Sequence, residues 1–388
     1  MLYLGFKPET MDKPFPDIKK NLGFGFMRLP MKGGKVDLEQ TAKMVDLYME
    51  SGFNYFDTAH GYLGGQSETA IRECVVKRYP RGSFVLTDKL SHGLFEQSPE
   101  GIRKFFQMQL EACGVEYFDF YLMHAQSLDF FEDFKACKAY ETAFELKAEG
   151  KIRHVGISFH DRAEVLEKIL NEYPGIELVQ IQFNYADWDD AGIQSRLCYE
   201  VCERRGIPTA VMEPVKGGSL AHLPSQAQDI LDALTPGAGA KPSAASYAIR
   251  FAASFPNNVV VLSGMSSLAQ MEDNLSYMKD FRPLSEEESA AIDKVRELFS
   301  AQNLIACTAC RYCTDGCPMN IPIPDIFADL NAKKIHHNWN SDWYYNVHIQ
   351  QRGKASDCIE CGQCESVCPQ KLPIIETLKA AAKAFERK

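Results

Sequence analysis

Eight of the chain's thirteen cysteines fall within its last 82 residues, in two copies of one spacing. Cys307, Cys310, Cys313 and Cys317 precede Pro318, and Cys358, Cys361, Cys364 and Cys368 precede Pro369. Written out, the run is C-x-x-C-x-x-C-x-x-x-C-P, which suits thiolate ligation of [4Fe–4S] clusters and therefore one-electron chemistry. Paired C-x-x-C segments also build zinc sites, but four plus four cysteines with the C-P ending favour iron–sulfur. The proline after each fourth cysteine stops the chain from continuing there as a regular helix. Cys74, Cys113, Cys137, Cys198 and Cys202 are scattered through helical stretches and read as small core hydrophobes.

A second chemically capable set lies upstream, each member just after a short apolar run: Asp57, Lys89, His124, Ser158, Gln180, Glu213 and Ser263. Strand ends meet water and are often polar, so any one of these means little; together they are rich in groups that handle protons. What must position them is a unit repeated over residues 23–264: a capped polar helix, a glycine, a short apolar strand. Leu38–Ser51 reads as a helix stopped by Gly52 before a strand at 53–56. Ser98 and Pro99 supply an N-cap and first-turn proline, and Gly114 ends that helix before Phe118–Met123. Further strands fall at Leu22–Phe26, Phe84–Leu86, His154–Ile157, Leu178–Ile181, Pro208–Met212 and Val259–Leu262. Eight strands alternating with helices over about 240 residues predict a parallel (β/α)₈ TIM barrel, an α/β fold whose active sites gather at the C-terminal strand ends. An open doubly wound sheet also alternates. The first turn, Gly23-Phe-Gly-Phe-Met-Arg28, argues against it, because Arg28 fills the last glycine position of G-x-G-x-x-G.

Three segments carry a family likeness. Phe56-Asp57-Thr58-Ala59-His60-Gly61-Tyr62 with Ser67-Glu68, then Thr87-Asp88-Lys89, then Phe120-Tyr121-Leu122-Met123-His124 resemble the aldo-keto reductases, over about residues 20–281. The resemblance implies a catalytic tetrad of Asp57, Tyr62, Lys89 and His124. Carbonyl reduction by hydride leaves an oxyanion that needs a proton from a neutral acid. Tyr62 would be that acid, and Lys89 would pull its pKa down from the free phenol value of about 10. Asp57 would hold Lys89 charged, and His124 would donate a hydrogen bond to the carbonyl oxygen. The family also implies a nicotinamide cofactor, NADP or NAD. Ser158 and Gln180 would contact the carboxamide, Met212 would replace the usual aromatic platform, and Ser263, Gly264 and Asn274 would lie in the adenosine-phosphate segment. Phe159 stands where the family has Asn, with His160 as a substitute. Gly264 and Gln270 take the places of the Lys and Arg that grip a 2′-phosphate, which leaves NADH and NADPH both open. The cysteine runs resemble those of two-cluster ferredoxins, where the fourth cysteine of each run ligates the other cluster. One cluster would then take Cys307, Cys310, Cys313 and Cys368, and the other Cys358, Cys361, Cys364 and Cys317.

The expected organisation is a barrel over 1–300 and a smaller, mainly α-helical, ferredoxin-like domain over 301–388. A Ser285–Glu288 capping box opens the last barrel helix. The forty residues between the cysteine runs, with the aromatic stretch His336–His348, require an inserted loop or helices, and His336 and His337 read as solvated loop. A net charge of −10 argues against nucleic acid and anionic membranes as partners. No run of 18 apolar residues predicts a membrane span, and MLYLGFKPETMDKPF lacks a signal-peptide core. Ligating thiolates must stay reduced, which points to a cytoplasmic protein. The expected function is an oxidoreductase interconverting a small carbonyl or alcohol substrate, with two [4Fe–4S] clusters exchanging electrons with a ferredoxin or flavoprotein partner. Nicotinamide moves a hydride pair and clusters move single electrons, so either a flavin, at the barrel mouth or on the partner, mediates between them, or the clusters do not feed the hydride step. Two other functions fit the same residues: an ordinary NAD(P)H-dependent reductase with structural or sensing clusters, and a non-catalytic electron-transfer subunit. The intact tetrad weighs against the latter.

Overall fold

The computed structural model describes residues 14–190, 192–234, 241–300, 304–305, 307, 309–336, 339–368 and 370–386. Eight strands close a parallel barrel: β1 (Leu22–Gly25), β2 (Tyr55–Asp57), β3 (Val85–Leu90), β4 (Phe118–Gln126), β5 (Ile152–Phe159), β6 (Leu178–Gln182), β7 (Thr209–Met212) and β8 (Asn258–Ser263). Each pairs with the next in the chain, and β8 pairs with β1. All eight expected strands are present with ends moved by a few residues. The largest shift matters for the site: β3 keeps its ladder with β4 as far as Leu90, so Lys89 lies inside a strand opposite Leu122.

The helices start where the sequence supplies caps. The Asp37 side chain accepts from the Gln40 backbone at 3.0 Å, and Ser98 accepts from Gly101 at 3.0 Å ahead of a helix that begins with Pro99. That helix ends at Gly114 with φ 74°, a left-handed conformation that glycine adopts without steric cost. Ser285 and Glu288 form the reciprocal capping box, at 2.8 and 3.1 Å, that opens Glu286–Ser300. Inside the barrel, Tyr55, Val85, Phe120, Leu122, Leu178 and Val260 fill the lumen, and Phe15 and Ile18 pack on them. The packing is tight enough that a Cβ at Gly156 would sit 2.5 Å from the Leu178 carbonyl oxygen, which explains a glycine in mid-strand. The five scattered cysteines are all buried, four of them in helices, as expected for core residues.

Beyond the barrel, a second apolar core is built from residues such as Ile321, Ile326, Phe327, Leu330, Tyr345 and Leu378. The stretch between the cysteine runs is helical: Ile323–His336 and Asn340–His348. His336 therefore ends a helix instead of sitting in a loop, while His337 lies outside the described residues. The second of these helices docks on the barrel. Asn340 Nδ2 donates to Gln182 Oε1 at the end of β6 (3.0 Å), and Tyr344 Oη is 3.5 Å from His160 Nδ1 just past β5. Among the described residues no helix is long and apolar enough to cross a membrane.

His348 is the buried anchor of this docking, with Nδ1 2.8 Å from Asp329 and Nε2 3.2 Å from the Gly192 carbonyl. Burial pushes its imidazolium down, but Asp329 outweighs burial and holds the His348 pKa up at about 9. A raised histidine pKa gives stability that is complete below the unfolded value of about 6.5 and is lost as pH rises through the folded one. The melting temperature of the wild-type protein should therefore fall more steeply between these two values than that of His348→Gln. Parallel declines would show that this contact does not hold the helix down.

Candidate active site and cysteine cavities

Lys89 is fully buried, and its Nζ donates to Asp57 Oδ1 and to the Thr58 carbonyl, each at 2.7 Å. The other Asp57 oxygen accepts from Gln180 Nε2 at 3.2 Å. Pairing of β2 with β3 in the register Asp57 to Thr87 brings the two charges together, and the turn after β2 aims the Thr58 carbonyl inward. Burial disfavours the ammonium, but Asp57 and then Tyr62 overcome that penalty, so the Lys89 pKa ends above its ordinary value. Tyr62 lies in the turn after β2, half-buried, with the Lys89 Nζ 5.0 Å from its ring centroid. Burial pushes the Tyr62 phenol up, and the opposing pull of Lys89 only partly offsets it. The expectation of a lowered Tyr62 pKa is thus reversed: desolvation wins, and the phenol stays protonated at neutral pH.

His124 completes the group. Its ring meets Tyr62 edge-on at 5.8 Å between centroids, and its Nδ1 is 2.7 Å from Ser91 Oγ. Burial, with help from Lys89 and His160, drives its pKa well below the usual histidine value, so it is neutral. Asp57, Tyr62, Lys89 and His124 are therefore brought together, with the two charged members buried and the two neutral ones half-buried beside them. Ser91, at the end of β3, carries no motif, and sequence reasoning passed over it. Behind Lys89, the buried carboxyls of Glu68 and Asp88 share the amide of Gln109 at 3.2 and 3.1 Å. Burial and then Glu68 push the Asp88 carboxyl well up, while the Lys89 ammonium is paired with Asp57.

The residues expected on the cofactor side are less uniformly arranged. Ser158 and Gln180 are adjacent across β5 and β6, both buried, with Gln180 turned to Asp57. Met212 ends β7, half-buried, paired in register with Gln182. Ser263 Oγ donates to Asn274 Oδ1 at 2.7 Å, so these two tie the end of β8 to the following helix. Phe159 is core, and His160 faces Trp343 and Tyr344 of the docked helix. A Cβ at Gly264 would lie 3.3 Å from Arg28 Cδ, which puts an arginine against the segment expected to bind the adenosine end. Arg28 Nη2 stands 3.7 Å from Glu213 Oε1, and Arg28 Nη2 and Glu213 Oε2 are both buried without a hydrogen-bond partner. Closure of the barrel through β8 and β1 makes Arg28 and Gly264 neighbours although 236 positions separate them. Sequence reasoning also passed over Lys216, which forms a buried ion pair with Asp187, itself held by Gln182 (2.7 Å) and Asn184 (2.6 Å).

The eight C-terminal cysteines line two cavities, each with three cysteines of one run and the fourth of the other. The first gathers Cys307, Cys310, Cys313 and Cys368; the second gathers Cys358, Cys361, Cys364 and Cys317. Apart from Arg311 and Gln370 in the first and Gln363 in the second, the linings are apolar or glycine. None of the eight is in a disulfide. Four cysteines around a largely apolar cavity fit a [4Fe–4S] cluster, and the crossed arrangement is the one the ferredoxin resemblance implies.

A closed parallel barrel with a buried lysine–aspartate pair near its C-terminal strand ends is thus joined to a region with two four-cysteine cavities. The profile described as "Aldo/keto reductase family" matches residues 21–297, more than half of the sequence, and the chain belongs to that family. A 4Fe-4S dicluster domain matches residues 306–373. Among curated relatives, the NADH-specific methylglyoxal reductase of Escherichia coli K12 is 29% identical over 196 residues, covering 45% of this chain and 57% of that protein. The 9,11-endoperoxide prostaglandin H2 reductase of Trypanosoma cruzi is 26% identical over 278 residues, 70% of this chain and 89% of that one. The chain thus spans little more than half the length of the first of these relatives. In fold it resembles the holo form of an aldo-keto reductase from Bacillus halodurans, with TM-score 0.56, 23% identity and coverage of 71% and 92%.

The crossed cavities make a double-substitution prediction. Cys307→Ser/Cys368→Ser should lose no more iron than Cys307→Ser alone, since both positions serve one cavity. Cys358→Ser/Cys368→Ser should lose markedly more than Cys358→Ser alone, measured as iron and sulfide per chain after anaerobic purification. The reverse pattern would assign each fourth cysteine to its own run.

Proposed function

We propose that the protein interconverts a carbonyl and an alcohol on a small substrate at the barrel mouth, using Asp57, Tyr62, Lys89 and His124. The observation that carries this reading is the fully buried Lys89, held between Asp57 and the Thr58 carbonyl and facing the Tyr62 ring. Tyr62, protonated at neutral pH, is the acid toward carbonyl and, in reverse, the base toward alcohol. Lys89 offsets the negative charge that grows on the Tyr62 oxygen as its proton leaves, and Asp57 keeps Lys89 charged. When Ser91 donates to His124 Nδ1, the His124 proton resides on Nε2, where it serves as the donor that orients the substrate oxygen.

A nicotinamide dinucleotide, NADP or NAD, supplies the hydride when bound. Ser158, Gln180 and Met212 would hold its nicotinamide end, and Ser263, Gly264 and Asn274 its adenosine end. The partnerless buried atoms of Arg28 and Glu213 support a polar ligand beside Gly264. A small carbonyl substrate is supported by the methylglyoxal reductase among the relatives. We place the boundary between barrel and iron–sulfur domain near residue 300, between the two family matches. The eight cysteines would hold two [4Fe–4S] clusters, which store single electrons and exchange them with a ferredoxin or flavoprotein in a reducing cytoplasm.

Tyr62→Phe removes one hydroxyl and leaves the Lys89–Asp57 pair in place. It should keep the melting temperature and iron content of the wild type while methylglyoxal reduction, assayed with NADH and with NADPH, falls by about 10²–10⁴-fold. Reduction at close to the wild-type rate would exclude Tyr62 as the proton donor.

A further inference from the structure

We infer that the protein's fixed charges make the two cysteine cavities unequal, the first being the better place for an added electron, so that charge rests on the side that faces the barrel. The repeated cysteine spacing gives no hint of this. Each cavity has one exposed cysteine, Cys310 in the first and Cys361 in the second, and the first has two buried ones, Cys313 and Cys368, against Cys364 alone in the second. The difference in charge lies in the residue that follows the second cysteine of each run: Arg311 in the first and Gly362 in the second. Arg311 is the charged residue in the first lining, and the second lining has none.

Arg311 belongs to a larger cluster of paired charges. It grips Asp325 two-pronged, at 2.9 and 3.2 Å, and Arg162 (3.5 Å) and Arg352 (3.7 Å) reach the same buried carboxylate. Three guanidinium groups thus share one fully enclosed anion. Glu164 touches Arg162 at 3.2 Å but stays largely in water, and Asp161 stands 3.8 Å from Arg162 Nε. Burial and the neighbouring Arg162 and Arg311 press the Arg352 pKa down, as expected where cations crowd. Around the second run the signs are reversed. Glu360 lies between Cys358 and Cys361, and Glu365 follows Cys364; Lys379 is shared between Glu360 and Glu376 at 3.0 Å each.

A one-electron reduction adds one negative charge to a cavity. A cation at its wall lowers the energy of that charge and a carboxylate raises it, and net charge is among the factors that set cluster potential. Arg311, in the wall of the first cavity, therefore raises its potential relative to the second, whose wall holds no charge. The first cavity is also the one beside the barrel: Cys307 shares a cleft of ≈ 370 Å³ with Asp187 and Lys216. The second is rimmed on the outside by exposed Ile359 and Met319.

This inference rests on the proposal that the cysteines hold two clusters, but not on the carbonyl chemistry. Its test is an anaerobic potentiometric titration of the holoprotein with dithionite, followed by low-temperature EPR. Two separate one-electron steps are expected. Arg311→Gln should lower only the higher-potential step, by about a tenfold change in its reduced-to-oxidised ratio, or 59 mV for a one-electron couple, and Arg311→Lys should restore most of it. Ile359→Lys, which places a cation on the exposed wall of the second cavity, should raise only the lower-potential step. A shift of the lower step by Arg311→Gln, no shift from it, or a rise of the higher step with Ile359→Lys would each overturn the assignment. Because the titration reads potentials and needs no substrate, its failure is distinct from a failure of carbonyl reduction.

Discussion

A lysine ammonium with no exposure to water is the constraint around which the barrel site is arranged. Removing such a charge from solvent costs several kcal/mol unless a counter-ion and hydrogen bonds compensate. Lys89 obtains both from β2: the Asp57 carboxylate at the strand end and the Thr58 carbonyl in the turn beyond it. Neighbouring features follow from the need to keep that pair intact. Gln180 occupies the second Asp57 oxygen, and burial and then Glu68 push the Asp88 carboxyl behind the lysine well up. Tyr62 and His124 stay uncharged beside it, one because burial raises its pKa and the other because burial lowers it. A fixed cation flanked by a neutral acid and a neutral donor is suited to a reaction in which an oxygen gains a proton and a hydrogen bond at once.

The cysteine region adds a second constraint. Two cavities that each draw on both runs cannot form until the intervening chain has folded back on itself. That chain is the pair of helices Ile323–His336 and Asn340–His348, and the second of them reaches the barrel through Asn340, Tyr344 and His348. Assembly of the cavities and docking at the strand ends of β5 and β6 are thus carried by the same helices. The cleft between Cys307 and the buried Lys216–Asp187 pair brings the two kinds of chemistry to one junction.

Much of this was legible in the sequence, for physical reasons. Alternation of apolar runs with capped helices identified the eight strands, and cysteine spacing with its proline ending pointed to the eight cysteines that line the two cavities. The tetrad could be read because its members stand in segments that resemble those of the family. What escaped were relations that only closure and burial create. Arg28 and Gly264 are remote in sequence and meet because β1 pairs with β8, so the cation beside Gly264 comes from the other end of the barrel's sequence. Ser91 gains meaning only from its distance to His124. The direction of the Tyr62 pKa depended on how deeply the ring is buried, a quantity that residue types near Lys89 do not encode. The helical docking of the stretch between the cysteine runs was open for the same reason, since its aromatic residues have no period that distinguishes a loop from an interface.

The central claim is that the Lys89–Asp57 pair is there for proton transfer at the barrel mouth and not only to stabilise the fold. The measurement that addresses it most directly is methylglyoxal reduction by an Asp57→Asn/Lys89→Met variant, which removes both charges together and strands neither. Assays with NADH and NADPH on anaerobically purified, iron-loaded protein should show a folded variant with wild-type iron content and a rate reduced by about 10²-fold or more. A folded, iron-loaded variant that reduces the carbonyl as fast as the wild type would contradict the claim.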